Sequence, residues 1–201
     1  MKKMNLPNKI TVCRIALAVI ILIILVFPWY QLKVRFPVFS LMGVENVDLK
    51  YLICGGLFLI ASVTDFLDGY IARSQKLVTD FGKVMDAIAD KVLVNGLLVI
   101  LAYNSFIPLI VPVIIITRDI VVDSIKMASG NKGKVVAASW PGKIKTICMM
   151  IGITLVMFYN IPFVFFGIRV DQLFVYAATI LSIVSACQYY LANKDFLFKE
   201  M

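Results

Sequence analysis

Apolar residues occur along this chain in long runs, rather than at the spacing of an amphipathic helix or an alternating strand. Each run has close to the ~20 residues that cross the core of a bilayer. A single buried stripe per helix does not explain runs that are apolar on every side. The runs lie at about 15–30, 50–64, 84–103, 106–125, 146–168 and 172–192. The pattern predicts an all-α integral membrane protein with six transmembrane helices.

The segment before the first run, MKKMNLPNKI, is basic and superficially resembles the start of a secretory signal. The run that follows is longer than a signal's apolar region and ends in FPWYQLK, which offers no small-residue cleavage site. We therefore predict a short N-terminal interfacial helix followed by a retained first span. The connections are short and no repeat is evident, so residues 1–201 are predicted to form one domain.

Composition supports the same class of protein. The chain has 201 residues, of which 61% are hydrophobic and 16% charged, against about 45–50% and about 25% in soluble domains. Its mean hydropathy is +0.94. These values exclude an ordinary soluble protein.

The basic residues are unevenly distributed between the connections. Lys and Arg outnumber Asp and Glu by 20 to 12, and most lie near the two termini and in the segments 65–90 and 118–145. The alternate connections hold only Lys33, Arg35, Lys50 and Arg169. Because Lys and Arg mark cytoplasmic loops, both termini and the two basic segments are predicted to face the cytosol.

The absence of histidine limits the chemistry that this chain can perform. It excludes Ser-His-Asp and Cys-His catalysis as well as His-ligated zinc, so proton transfer falls to carboxylates, lysines or tyrosines. The four cysteines are far apart and form no CxxC pair. They are interpreted as small buried hydrophobic residues.

Four aspartates are concentrated at the ends of two predicted spans. Asp65 and Asp68 are three residues apart, and Asp86 and Asp90 are four apart, so each pair lies on one helix face. Ionised groups at membrane depth are costly and indicate a functional site. If the turn around residues 74–79 joins the helices, the carboxylates converge, and bound cations would relieve their repulsion. Oxygen-only ligands favour magnesium or manganese.

A structural network is the alternative interpretation of these acids. In that interpretation the aspartates pair with nearby cations, namely Arg73, Lys83 and Lys91. A purely structural network does not require the glycines Gly69 and Gly82, although close helix packing would also select them.

The aspartates belong to a longer pattern, D-x2-D-G-x2-A-R-x8-G-x3-D-x3-D. This pattern resembles the signature of the CDP-alcohol phosphatidyltransferase family. Eight letters at fixed spacing make the match specific. The fixed positions are Asp65, Asp68, Gly69, Ala72, Arg73, Gly82, Asp86 and Asp90.

The resemblance implies transfer of a phosphatidyl or phospho-alcohol group from a CDP-activated donor to an alcohol, with release of CMP. It implies two divalent cations, Mg or Mn, held by Asp65, Asp68, Asp86 and Asp90, with Asp90 also acting as the catalytic base. The donor is expected to contact Gly69, Ala72, Arg73 and Gly82. Members of the family also suggest a homodimer in the cytoplasmic membrane of a bacterium, with its active site facing the cytosol.

Two further segments bear on the acceptor. TRDIVVDSIK and PGKIKT resemble segments of the bacterial phosphatidylglycerophosphate synthases, although Asp119 stands where glutamate is usual and Lys126 where an arginine is expected. The resemblance implies an acceptor-phosphate site made by Arg118, Lys143 and Lys145. An ion pair of Arg118 with Asp119 or Asp123 is the structural alternative. Supporting roles are expected for Asn8, Thr11, Arg14 and Lys126.

The expected reaction joins CDP-diacylglycerol and glycerol 3-phosphate at the surface of the lipid bilayer, with no nucleic-acid partner. A sibling enzyme that uses inositol phosphate, serine or phosphatidylglycerol as acceptor is the nearest alternative. An ion-coupled transporter is an alternative of a different class, because intramembrane carboxylates also mark ion pathways. A catalytically silent helical assembly factor is a third, and it would tolerate replacement of all four aspartates.

Overall fold

Helices make up most of the part of the chain that the structure describes. The computed structural model describes residues 6–74, 80–130 and 140–197; at 6–9, 66–74, 80, 81, 83, 86, 128–130 and 194–197 it describes the helix but not the side chain. The helices are α1 (Leu6–Val26), α2 (Leu49–Ser74), α3 (Asp80–Tyr103), α4 (Ile110–Gly130), α5 (Trp140–Met157) and α6 (Val170–Leu197). Strands β1 (Val38–Leu41) and β2 (Val44–Asp48) lie between α1 and α2.

The first two helices are longer than their apolar runs. Helix α1 is continuous from Leu6, so the prediction of a separate short interfacial helix is wrong. Pro7 does not interrupt it, because N–H groups in the first turn of a helix have no acceptor within the helix, so the N–H that proline lacks is not missed there. Helix α2 continues to Ser74 and carries the first half of the aspartate pattern. Hydropathy marks the apolar part of a helix, whereas backbone hydrogen bonding continues through polar residues.

The expectation of an all-α fold is wrong for residues 38–48, which form an antiparallel hairpin. Met42 and Gly43 have φ of 49° and 79°, and two consecutive positive φ values are typical of the tightest hairpin turns. At the end of β2, the backbone N–H of Lys50 donates to Oδ1 of Asp48 at 2.8 Å. This bond caps the start of α2.

The fifth apolar run, 146–168, is not one helix. Helix α5 begins earlier and ends at Met157, and a 3-10 turn follows at Phe163–Phe166. Buried Asn160 donates to the carbonyl oxygen of Ile168 at 2.7 Å and accepts from the backbone N–H of Asp171 at 3.1 Å. These bonds tie the connection to the first turn of α6, so the apolar run covers a turn as well as a helix.

Close helix contacts determine how the bundle packs. Helix α1 lies against α2 and α3, α5 lies along α6, and α4 lies against α3 and α6. A Cβ at Gly96 would stand 2.7 Å from Leu22, and one at Gly152 would stand 2.9 Å from Val175. The two glycines therefore let α1 approach α3 and let α5 approach α6. The contacts bring the polar ends of α1, α2 and α3 together.

The outer surface of the bundle is strongly apolar. Among the described residues, α5 and the segment Val170–Asn193 of α6 are long and apolar enough to cross a bilayer. Exposed apolar side chains also lie on other helices, including Val19, Ile60 and Ile120. Such surface is rare on soluble monomers and is typical of contact with lipid. The fold is therefore that of a mostly helical membrane protein.

Candidate active site

Three helices bring two carboxylates of the aspartate pattern to one buried guanidinium. Arg14 lies on α1 and its side chain is only 2% exposed. Its Nη1 donates to Oδ1 of Asp65 on α2 and lies 3.7 Å from Oδ1 of Asp90 on α3. Since both carboxylates face the same cation, the two halves of the pattern converge where α1 meets α2 and α3.

The other two aspartates lie on the same helices, but their side chains are outside the described part of the structure. Asp68 is one turn beyond Asp65 on α2, and Asp86 is one turn before Asp90 on α3. Gly82 is half-buried near the start of α3. The remaining predicted donor-binding residues, whose side chains are likewise outside the described part, are Gly69, Ala72 and Arg73.

The convergence of Asp65 and Asp90 fits a divalent cation site in its donor chemistry. Carboxylate oxygens are the ligands that magnesium and manganese prefer. Within the side chains that the structure describes, no group of three or more His, Cys, Asp or Glu stands close enough to hold a metal. A complete ligand set would therefore need Asp68 and Asp86 in addition to the described pair.

A cavity of about 360 Å³ lies beside Asp90, between α3, α4 and α5. Charged side chains from all three helices line it, together with apolar side chains that include Met149 and Met150 of α5. The charged and amide side chains that line it are Asp90, Lys91, Asn95, Arg118, Asp119, Asp123, Lys126 and Lys145.

Arg118, Lys126 and Lys145 form a cationic wall of the cavity. Arg118 Nη1 donates to Oδ1 of Asp119 at 2.9 Å, and Lys145 Nζ donates to the same oxygen at 2.6 Å. Nη2 of Arg118 donates to the hydroxyl of Ser185 on α6 at 2.6 Å. One carboxylate thus faces two cations, and Lys126 on α4 adds a third. Arginine has five N–H donors, so Arg118 keeps donors for an anion in the cavity.

Lys143 does not line the cavity, although the family resemblance implies that it joins Lys145 in the acceptor site. It is exposed, and its Nζ lies 5.6 Å from the centre of the Trp140 ring. Residues two apart on a helix point in nearly opposite directions, so Lys143 and Lys145 do not face one cavity. Lys126, and not Lys143, is among the residues that line the cavity.

The supporting residues of the N-terminal segment have different positions. Thr11 is buried on α1, one turn before Arg14. The side chain of Asn8 is outside the described part of the structure. Arg14 contacts the aspartates directly, so the predicted supporting role understates its place in the site.

Sequence reasoning missed two features of the site. One is the pairing of Asp123 with Lys91 at the edge of the cavity. The ion pair of Arg118 with Asp119, which the sequence offers as the structural alternative, is present. The other missed feature is Ser185, which belongs to a polar series with Ser182 and Tyr189 at positions i, i+3 and i+7 of an apolar helix. That series is the signal that indicates a polar face of α6 turned toward α4.

The site therefore has two regions with opposite charge that share Asp90. The carboxylates of Asp65 and Asp90 face Arg14 on one side, and cations of α4 and α5 line the cavity on the other. An anionic group in the cavity would lie beside a carboxylate that can accept a proton. This arrangement suits a reaction in which a hydroxyl carried by an anion is deprotonated.

Comparison with known proteins gives a consistent result. Residues 4–184 match the model of the CDP-alcohol phosphatidyltransferase family. Proteins named CDP-diacylglycerol–glycerol-3-phosphate 3-phosphatidyltransferase are 38% identical in Bacillus subtilis (strain 168), over 96% of this chain and 97% of that protein, and 32% identical in Rickettsia bellii (strain RML369-C), over 96% and 97%. One from Mycoplasma genitalium is 40% identical over 75% of this chain and 64% of that protein. The chain belongs to the CDP-alcohol phosphatidyltransferase family.

Proposed function

We propose that this protein transfers the phosphatidyl group of CDP-diacylglycerol to the 1-hydroxyl of glycerol 3-phosphate, giving phosphatidylglycerophosphate and CMP. The position of Asp90 carries this proposal, because it borders both the carboxylate cluster and the cationic cavity. The names of the relatives support glycerol 3-phosphate as the acceptor. A phosphate-bearing alcohol matches a cavity that presents Arg118, Lys126 and Lys145.

In this reaction the cavity residues hold the acceptor and Asp90 activates it. Arg118 and Lys145 would bind the phosphate of glycerol 3-phosphate. The bound phosphate would then hold the 1-hydroxyl of the same molecule near Asp90. Asp90 would take the proton of that hydroxyl, whose oxygen then attacks the phosphorus that bears diacylglycerol. The bond from this phosphorus to the CMP oxygen breaks, and CMP leaves with the electron pair.

The donor is proposed to lie on the carboxylate side of Asp90. Asp65, Asp68, Asp86 and Asp90 would hold two divalent cations, magnesium or manganese. When bound, such ions neutralise charge on the donor pyrophosphate and on the departing CMP. Gly69, Ala72, Arg73 and Gly82 are proposed to contact the CDP moiety.

We propose that all six helices cross the membrane and that both termini lie in the cytoplasm. The basic segments and the site lie at the same ends of the helices in this topology, which agrees with the positive-inside rule. Acyl chains would remain in the bilayer while the headgroup enters the cavity from the cytosol. We also propose one domain over residues 1–201, in a homodimer in a bacterial cytoplasmic membrane.

The reaction is tested by CMP release from detergent-purified protein. We expect release to require CDP-diacylglycerol, glycerol 3-phosphate and a divalent cation together, and to stop when EDTA removes the cation. Magnesium or manganese added in excess of EDTA should restore it. Release with inositol phosphate, serine or phosphatidylglycerol instead would indicate a sibling reaction. Solute flux without CMP would indicate a transporter.

Arg118→Ala should weaken acceptor binding specifically. Loss of a guanidinium from a phosphate site costs on the order of 2 kcal/mol, so we expect KM for glycerol 3-phosphate to rise roughly 30-fold while KM for CDP-diacylglycerol changes little. Lys143→Ala is the matched control, because Lys143 is exposed and stacks on Trp140. Initial rates, measured while the concentration of one substrate is varied at a time, give the two KM values. An equal rise of both KM values in Arg118→Ala would contradict the acceptor assignment.

A further inference from the structure

A polar face of α6 lies behind the cationic wall of the cavity. Ser182, Ser185 and Tyr189 recur at i, i+3 and i+7, so they share one face of the helix. All three are buried, and Tyr189 is 4% exposed. None of the three is among the residues that line the cavity. Ser185 and Tyr189 instead contact the cations that line it, and the carbonyl oxygen of Ser182 accepts a hydrogen bond from Ser185.

Tyr189 contacts two of these cations through the face of its ring. The ring centre lies 5.8 Å from Cζ of Arg118 and 5.2 Å from Nζ of Lys126. Both distances are within the range in which a cation is attracted to the ring's quadrupole. A buried aromatic ring has few accessible orientations, so it is a rigid support for two long and flexible side chains.

Ser185 adds a directional contact one turn earlier on the helix. Its hydroxyl accepts from Nη2 of Arg118 at 2.6 Å and donates to the carbonyl oxygen of Ser182 at 3.0 Å. The hydroxyl is therefore oriented by α6 itself. Since Nη1 of Arg118 donates to Asp119, the guanidinium is fixed from two sides.

The type of support matters for the charge of the cavity. A second carboxylate behind Arg118 and Lys126 would hold them equally well, but it would cancel their charge. The ring and the hydroxyl carry no net charge, so they hold the cations in place and leave the cavity positive. Among the described ion pairs, Asp119 is the carboxylate that Arg118 contacts, and Asp119 also pairs with Lys145.

We infer that Tyr189 and Ser185 are positioning residues that hold Arg118 and Lys126 toward the cavity and so determine its preference for an acceptor that carries a phosphate. This inference rests on the proposed function. Neither residue touches the reacting atoms. They determine the position of the two cations relative to the acceptor phosphate. Replacing them should therefore change acceptor binding and not the chemical step.

The test replaces Tyr189 in the full-length protein and measures CMP release against both substrates. Tyr189→Leu removes the ring and should raise KM for glycerol 3-phosphate roughly tenfold, with kcat and the KM for CDP-diacylglycerol nearly unchanged. Tyr189→Phe keeps the ring and should therefore retain most of the acceptor affinity that Tyr189→Leu loses. Tyr190→Leu is the matched control, since Tyr190 is the exposed neighbour.

Ser185→Ala extends the test to the hydroxyl. We expect a smaller rise of the acceptor KM than in Tyr189→Leu, because the aromatic contacts and the pair with Asp119 remain. Thermal unfolding in detergent, measured for each variant, identifies a general loss of folding, and this would lower kcat and affect both substrates.

The outcomes separate the inference from the function on which it rests. An acceptor KM that stays at the wild-type value in Tyr189→Leu, or that rises as much in Tyr189→Phe, would overturn the inference while leaving the reaction in place. A wild-type protein that releases no CMP with glycerol 3-phosphate would overturn the proposed function itself. If Tyr189→Leu loses acceptor affinity only and Tyr189→Phe retains most of it, the inference holds.

Discussion

Asp90→Asn should reduce CMP release by about 10²–10⁴-fold, the contribution that general-base catalysis typically makes. The amide is nearly the same size as the carboxylate but does not accept the proton of the attacking hydroxyl. Asp90 is partly exposed and faces the cavity, so the substitution should leave the fold intact. The measurement is the initial rate of CMP release at saturating CDP-diacylglycerol and glycerol 3-phosphate.

Glu45→Gln is the matched control for Asp90→Asn. It makes the same change from carboxylate to amide at an exposed position of β2, which precedes the first residue of α2, and it should retain the wild-type rate. Thermal unfolding of Asp90→Asn close to that of the control would show that the fold survives. A rate for Asp90→Asn within a few-fold of the control would remove Asp90 from the role of base.

Much of the site was accessible from sequence because its residues are close together on two helices. The spacing of Asp65, Asp68, Asp86 and Asp90 predicts two acidic faces, and the structure brings Asp65 and Asp90 to one guanidinium. The match to the family was also predicted from these letters and is confirmed. The side chains of Asp68 and Asp86 lie outside the described part, so their role as ligands stays a prediction.

The parts that sequence reasoning missed depend on contacts between distant segments. Arg14 and Asp65 are 51 positions apart, and Arg118 and Ser185 are 67 apart. Periodicity within one helix does not determine which other helix it faces. Lys143 and Lys145 precede the fifth apolar run, so the sequence did not place them on a helix; because α5 begins at Trp140, their spacing puts them on different helix faces.

The fold was predicted best where long apolar runs indicate a helix. Five of the six apolar runs each fall mainly within one helix, although the boundaries differ. The hairpin was missed because its strands are only four and five residues long, and their alternation is weak next to the neighbouring apolar runs. A Met-Gly pair between two short β-forming segments was the available signal for the turn.

Arg14 connects the stability of the fold with the chemistry of the site. Its guanidinium is buried and faces two carboxylates, and a divalent cation held by the same carboxylates would supply positive charge at the same place. The two cations are therefore alternatives in electrostatic terms, since either one relieves the repulsion between Asp65 and Asp90. This overlap allows the metal site to be tested without measuring activity.

Arg14→Ala should destabilise the protein by about 1–3 kcal/mol, because it removes the buried guanidinium that compensates the part-exposed carboxylates of Asp65 and Asp90. Arg35→Ala, at an exposed position of the connection after α1, is the control and should unfold like the wild type. Magnesium should raise the unfolding temperature of Arg14→Ala more than that of the control, because the ion replaces the missing charge. Thermal unfolding in detergent with magnesium or with EDTA measures both effects. If Arg14→Ala and Arg35→Ala unfold at the same temperature and respond equally to magnesium, Arg14 does not hold the carboxylates together and the proposed metal site loses its support.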